Sequence, residues 1–254
     1  MQRAHQYALS GYLIAMADDE LILGHRDSEW TGHAPILEED IAFANLALDE
    51  IGHAKLWYEL AADLLGEDQT IYPDRLVYFR DATQFRNLQM VELPKGDWAL
   101  STLRQYLFDS LEALRLEVLK HSRYTPLAEI AARIRTEELY HLRHSRAWVL
   151  RLGLGTEESH SRMQAALDAL WPYAQQLAER LPGERDLHAA GIVPSSAALF
   201  DRWHIDAVEF LTKAGLQVNF QQFLAPSRRE HTEHLPALLA DLQSVARLDP
   251  EATW

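Results

Sequence analysis

Two Glu-x-x-His motifs constrain this chain more than any other feature. Glu50-Ile51-Gly52-His53 lies in a run whose helical stripe reads Phe43, Ala47, Glu50, Ala54, Trp57, Ala61 and Leu64. The stripe is apolar apart from one carboxylate. Glu138-Leu139-Tyr140-His141 repeats the pattern 88 residues later, on the stripe Leu127, Ala131, Ile134, Glu138, His141, Ser145, Trp148 and Leu152. An ionised Glu on a buried stripe costs several kcal/mol, roughly, unless a partner compensates it. A His one turn away makes a metal ion a natural partner.

A dinuclear carboxylate site in a helix bundle also needs one acid from each of two further helices. Each motif has one upstream. Glu20 interrupts the stripe Leu9, Leu13, Met16, Leu23, 30 residues before Glu50. Asp109 interrupts Tyr106, Ala113, Leu116, 29 residues before Glu138. The candidate metal ligands are therefore Glu20, Glu50, His53, Asp109, Glu138 and His141. The alternative is a buried network of salt bridges without metal.

Chance supplies about one Glu-x-x-His in a chain with 21 Glu and 12 His. Three occur. The third, Glu157-Glu158-Ser159-His160, follows Gly153-Leu154-Gly155-Thr156 and reads as a helix start, with acids at the positive end and Thr156 as cap.

The spacing predicts an all-α, ferritin-like four-helix bundle over about residues 4–153, with a helical appendix over about 156–248, in one domain spanning 1–254. The first helix is expected from about Ala4 to His25, followed by a polar connection from Arg26 to Pro35 with Trp30 as a packing anchor. His25 and His33 read as surface residues or as neighbours of the ligands. The second helix is expected from about Leu37 to Leu65, ending at Gly66. A crossover follows from Glu67 to Gly96, in which Arg75, Arg80 and Arg86 read as solvated charges or as contacts for an anion. The third helix is expected from about Asp97 to His121. The fourth opens with Pro126 in its first turn and ends at Gly153. Two helix pairs joined by one long crossover is the ferritin-like topology. In the appendix, helices are expected over about Thr156–Arg180, bent at Pro172, over Ser195–Gly215 and over His231–Arg247, with a loop from Leu181 to Pro194. His188, His204, His231 and His234 have no acid partner in the stripe pattern and read as residues without a site role.

Composition narrows the function. The chain has no Cys, which excludes disulfides, thiolate metal sites and a Cys nucleophile within it, so electrons for redox chemistry must come from another protein. A net charge of −14 argues against nucleic acid and suits either solubility or docking to a basic partner subunit. No apolar run is long enough to span a membrane, and the first ten residues have no apolar signal core, so a cytoplasmic location is expected.

Several longer segments carry a family likeness. They are Glu29-Trp30 with Gly32-His33-Ala34-Pro35, Ala42 to Asp49, Gln84-Phe85-Arg86-Asn87-Leu88, Tyr140-His141-Leu142-Arg143 with Ser145-Arg146, and Thr232-Glu233-His234-Leu235. In these the chain resembles the C-subunit family of the bacterial phenylacetyl-CoA epoxidase, and the likeness runs through essentially its whole length. The resemblance implies a ferritin-like fold and a place in a monooxygenase complex of phenylacetate degradation. It implies a homologous catalytic A-type partner, which holds a di-iron centre and epoxidises the aromatic ring with O₂, and a flavin and iron–sulfur reductase subunit. It also implies a scaffold role for this chain. Against that role, all six candidate ligands match those of the catalytic relatives. On that match the chain either binds two iron ions, with Glu20 and Asp109 as terminal ligands, Glu50 and Glu138 bridging, and His53 and His141 each on one iron, or keeps the ligand types without loading them. The competing expectations are an active di-iron oxygenase component in its own right and a stand-alone ferritin-like iron protein. A homodimer of the isolated chain is a further expectation.

Overall fold

The computed structural model describes residues 2–219, 227–250 and 252. All regular structure among them is helical. Four long helices form the bundle: α1 (Arg3–Ser28), α2 (Leu37–Leu65), α5 (Trp98–Leu119) and α6 (Thr125–Gly153). Between α2 and α5 run the short helices α3 (Tyr72–Tyr78) and α4 (Gln89–Glu92), with a 3-10 turn at Ala82–Gln84. Beyond α6 come α7 (Glu157–Leu170), α8 (Glu184–Ala189), α9 (Ser196–Lys213) and α10 (His234–Leu248).

Local chemistry sets the ends. Glu38, Glu39 and Asp40 sit in the first turn of α2, at the positive end of its dipole. Gly66 ends α2 in the left-handed region (φ 73°), which a side chain would disfavour. Asp97 caps α5 by accepting from the Leu100 N–H at 3.0 Å. Pro126 occupies the first turn of α6. Thr156 accepts from the Ser159 N–H, and the His160 ring bonds the Gly153 carbonyl at 2.7 Å, so the third motif serves a helix junction.

The apolar stripes face inward as periodicity requires. Leu9, Leu13, Met16 and Leu23 of α1 are buried, as are Phe43, Ala47, Ala54, Trp57 and Ala61 of α2 and Leu127, Ala131 and Ile134 of α6. α1 packs along α2 and α5 along α6, while α7 and α9 pack on α5. α1 lies close against α2 at Gly24. A Cβ there would meet Glu50 Cβ at 2.9 Å and the Ala47 carbonyl at 3.0 Å.

The structure revises several expectations. Residues 67–96 are partly helical. Helix α7 stops at Leu170 and continues as a 3-10 helix over Trp171–Ala178, where Pro172 lacks the N–H that an α-helix needs. The loop expected over 181–194 contains α8. Helix α10 begins at His234 instead of His231, because Glu92 accepts from both the N–H and the hydroxyl of Thr232 at 2.7 Å and holds that stretch outside the helix. Arg80 is not a solvated charge. It is buried over the Phe85 ring, 4.0 Å from its centroid, and its guanidinium donates to Asp18 at 2.5 and 3.1 Å. His231 does have an acid partner: its Nδ1 lies 2.6 Å from Glu92 Oε1. Trp30 is the anchor expected of it, buried against Phe43 and Trp98 and donating from its indole N–H to Ser101 at 2.8 Å. His33 is exposed and His25 half-buried.

Candidate metal centre

The centre is built where α1, α2, α5 and α6 each turn an acid into the core. On α1 three consecutive acids, Asp18, Asp19 and Glu20, are all buried. Successive helical residues point about 100° apart, so each finds a different partner. Asp18 accepts from Arg80, from the Tyr58 hydroxyl and from the Arg86 N–H. Asp19 accepts from Arg228 at 2.9 Å and from the Leu88 N–H at 2.7 Å. Glu20 alone faces the bundle axis. The two ion pairs pin the crossover and the C-terminal segment to α1 and thereby fix the direction of Glu20.

All six predicted residues are buried at this level. Glu20, Glu50, His53 and Glu138 bring one ligand atom each to within 4.8 Å of one another. His141 joins from α6, its Nδ1 lying 3.2 Å from Glu138 Oε1 and 3.4 Å from Glu50 Oε1. The His53 Nδ1 lies 3.4 Å from the same Glu138 oxygen, so that oxygen stands between the two imidazoles. Asp109 enters through Gln105, whose amide N–H₂ donates to Asp109 Oδ1 and to Glu50 Oε1, both at 2.8 Å. Ser145 donates to the other Asp109 oxygen at 2.9 Å.

The imidazoles are oriented from outside. His53 Nε2 lies 2.7 Å from Glu137, and His141 Nε2 lies 3.2 Å from Asp49. Each partner is the residue just before the Glu of the opposite motif. With Nε2 engaged outward, each ring turns Nδ1 towards the cluster.

Burial and neighbouring charges shift the groups of the cluster in opposite directions. Burial, then the charge of Glu50, pushes the Glu20 carboxyl well above the carboxylate range. Burial and Glu138 do the same to Asp109. Glu138 runs the other way: burial would raise it, but His141 and His53 outweigh burial and hold it at about 2. Burial lowers His53, yet Glu138 overcomes it and lifts the imidazole to about 9. One turn beyond Asp109, burial pushes Glu112 up to about 7 although Arg115 opposes it at 2.5 Å.

The residues fit a metal ion on one observation. Both oxygens of Glu20, both of Glu138, Glu50 Oε2 and the Nδ1 atoms of His53 and His141 are buried without a hydrogen bond. Buried polar atoms are nearly always paired. Oxygen and imidazole nitrogen gathered in one buried cluster, one atom from each of Glu20, Glu50, His53 and Glu138 lying within 4.8 Å of the others, are the donor types a divalent cation takes.

Comparison with known proteins finds relatives along the whole chain. A family model for the phenylacetic acid catabolic protein matches residues 1–254. The chain belongs to this family. Within it, a curated relative is the C subunit of the 1,2-phenylacetyl-CoA epoxidase of Escherichia coli (strain K12). It is 37% identical over 248 residues, covering 97% of this chain and 99% of the relative. The family likeness read from the sequence therefore holds from end to end. No helix of the described residues is long and apolar enough to cross a membrane.

Residue reasoning overlooked Gln105, Glu112, Asp49 and Glu137. Gln105 and Glu112 share the Asp109 stripe at helical spacing, so a polar run on an inward face was the available signal. Asp49 and Glu137 lay beside the ligands in the motif itself.

Proposed function

We propose that this chain is the C-type subunit of a multicomponent phenylacetyl-CoA ring-epoxidising monooxygenase of phenylacetate degradation. Its main role is to assemble with and stabilise a homologous catalytic A-type subunit in the cytoplasm. The observation that carries the reading is the end-to-end match to the C-type epoxidase relative, loops and C-terminal helices included. A stand-alone iron protein would need only the bundle. The other subunits, among them a flavin and iron–sulfur reductase, are the partners this role requires. We treat residues 1–254 as one domain, with the ion pairs from Asp18 and Asp19 joining its parts.

A surface feature supports a partner. The outer face of α2 exposes Leu37, Ile41, Leu48 and Ile51, and α6 exposes Leu139 and Tyr140. Apolar residues in such a row mark interaction sites more often than chance surface.

The six-residue cluster supports a second reading, that the chain is itself a di-iron oxygenase component. Glu20, Glu50, His53, Asp109, Glu138 and His141 are the residues that would hold iron, two ions when both halves load. Bound iron would supply O₂ reduction. The chain's own contribution is positioning: Glu137 and Asp49 orient the imidazoles, and the apolar stripes exclude water.

Co-expression with the A-type subunit tests the first reading. A complex surviving gel filtration is expected, and it should weaken when Ile41→Glu and Leu48→Glu are combined. Separate elution of the unaltered chains would contradict it. The second reading is tested in the assembled complex with Glu50→Ala and His53→Ala combined. Undiminished epoxidation assigns the chain to the scaffold role.

A further inference from the structure

The cluster is not symmetric. Its two halves have matching sequence spacings, but their hydrogen bonding differs. On the side of Glu20 and His53, both oxygens of Glu20, both of Glu138, Glu50 Oε2 and the Nδ1 of His53 are bare. On the side of Asp109 and His141 the Nδ1 of His141 is bare too, but each oxygen of the acid already accepts a hydrogen bond. Asp109 Oδ1 accepts from Gln105 at 2.8 Å and Oδ2 accepts from Ser145 at 2.9 Å. The same Gln105 nitrogen donates to Glu50 Oε1 at 2.8 Å, so both its N–H groups are spent on two carboxylates. Glu50 is thus divided, with Oε2 open and Oε1 occupied.

With its nitrogen facing Asp109 and Glu50, the amide donates to both. Turning it over would place its carbonyl oxygen against two acids. As it stands, Gln105 Oε1 is buried and bonds nothing. The side chain is buried in the core, one turn before Asp109 on α5.

We propose that this centre takes a single ion, seated by Glu20, Glu50, His53 and Glu138, and that Gln105 is the positioning residue that closes the other half. An ion entering the first half meets bare donors already within 4.8 Å of one another. A second ion has to break both Gln105 hydrogen bonds before Asp109 Oδ1 and Glu50 Oε1 are free, and leaving buried polar groups unpaired is costly. The inference rests on the cluster being a metal centre and concerns how many ions it takes, and where.

Anaerobic titration of the metal-free full chain with Fe(II), followed by desalting and elemental analysis, tests this. One iron per chain is expected. Gln105→Ala should take two, or tighten the second step roughly tenfold or more, the scale of one or two lost buried hydrogen bonds. In the unaltered background Asp109→Asn should keep its one iron and His53→Ala should lose it. Should Gln105→Ala fail to fold by circular dichroism, the Asp109→Asn and His53→Ala pair decides alone. Electron paramagnetic resonance with Mn(II) gives a second readout, an isolated ion against an exchange-coupled pair. Two ions of comparable affinity in the unaltered chain, or loss of the first ion in Asp109→Asn, would overturn the proposal while leaving the metal centre standing. No retained ion at all would overturn both.

Discussion

Glu137 Oε2 stands 2.7 Å from Nε2 of His53, tying the second motif to the first. Asp49 does the reverse for His141. The two helices therefore hold each other's imidazoles, and the arrangement needs both motifs in register. Glu137 is part-exposed, so its loss should barely change folding stability. Its effect should fall on metal affinity, since removing a group that orients a ligating His typically weakens binding roughly 10- to 100-fold. Glu137→Ala is expected to show this in a competitive chelator titration, with an unchanged thermal midpoint.

The metal-free protein should lose stability as pH rises. Glu112 holds its proton up to about 7 in the folded state, against an ordinary Glu near 4.5. Between those values the folded state binds more protons than the unfolded one, so stability falls with rising pH. His53, lifted from 6.5 to about 9, contributes stability that is complete below its unfolded value and lost on the way to about 9. Glu138, held at about 2, contributes above its unfolded value near 4.5 and loses that contribution as pH falls towards about 2. Denaturant midpoints should therefore decline from about pH 5 to about pH 9 in the absence of metal. Metal affinity should rise over the upper part of that range, because an ion must displace the His53 proton.

Gly24 lies at a close contact between α1 and α2, one turn beyond Glu20. An added methyl would press on Glu50 Cβ and the Ala47 carbonyl. Gly24→Ala is expected to destabilise by about 1–3 kcal/mol, as overpacking usually does. It should also weaken metal binding, because the helices that carry Glu20 and Glu50 are pushed apart. Chemical denaturation and chelator competition on the same variant check both effects.

Arg80 is the counter-charge of a carboxylate two residues from Glu20. Arg80→Leu leaves Asp18 buried with the Tyr58 hydroxyl and the Arg86 N–H but no cation. Removing one partner of a buried pair costs about 3–5 kcal/mol. Asp18→Asn combined with Arg80→Leu should recover part of that loss in urea denaturation, because the unpaired charge is gone.

The long helices and the six acids and imidazoles were legible because both obey one period. A polar residue on an apolar stripe stands out against its neighbours, and Glu20, Glu50, Asp109 and Glu138 each did. Arg80 and His231 gave no such signal. They lie in irregular segments where no stripe marks the inside, and their partners Asp18 and Glu92 are distant in sequence. Helices α3, α4 and α8 escaped because four to seven residues do not establish a period. Gln105 was readable in principle, four residues before Asp109, but a neutral amide draws less notice than a charge. Its hydrogen bonds depend on how α2 and α5 pack, which spacing within one helix does not contain.

The most direct measurement is anomalous diffraction at the iron edge from crystals of the chain loaded with Fe(II) under anaerobic conditions. The expected result is a peak enclosed by Glu20, Glu50, His53 and Glu138, with both imidazoles still held by Glu137 and Asp49. An iron-loaded crystal with no peak there, and with these carboxylates hydrogen-bonded to one another or to water, would contradict the assignment of a metal centre.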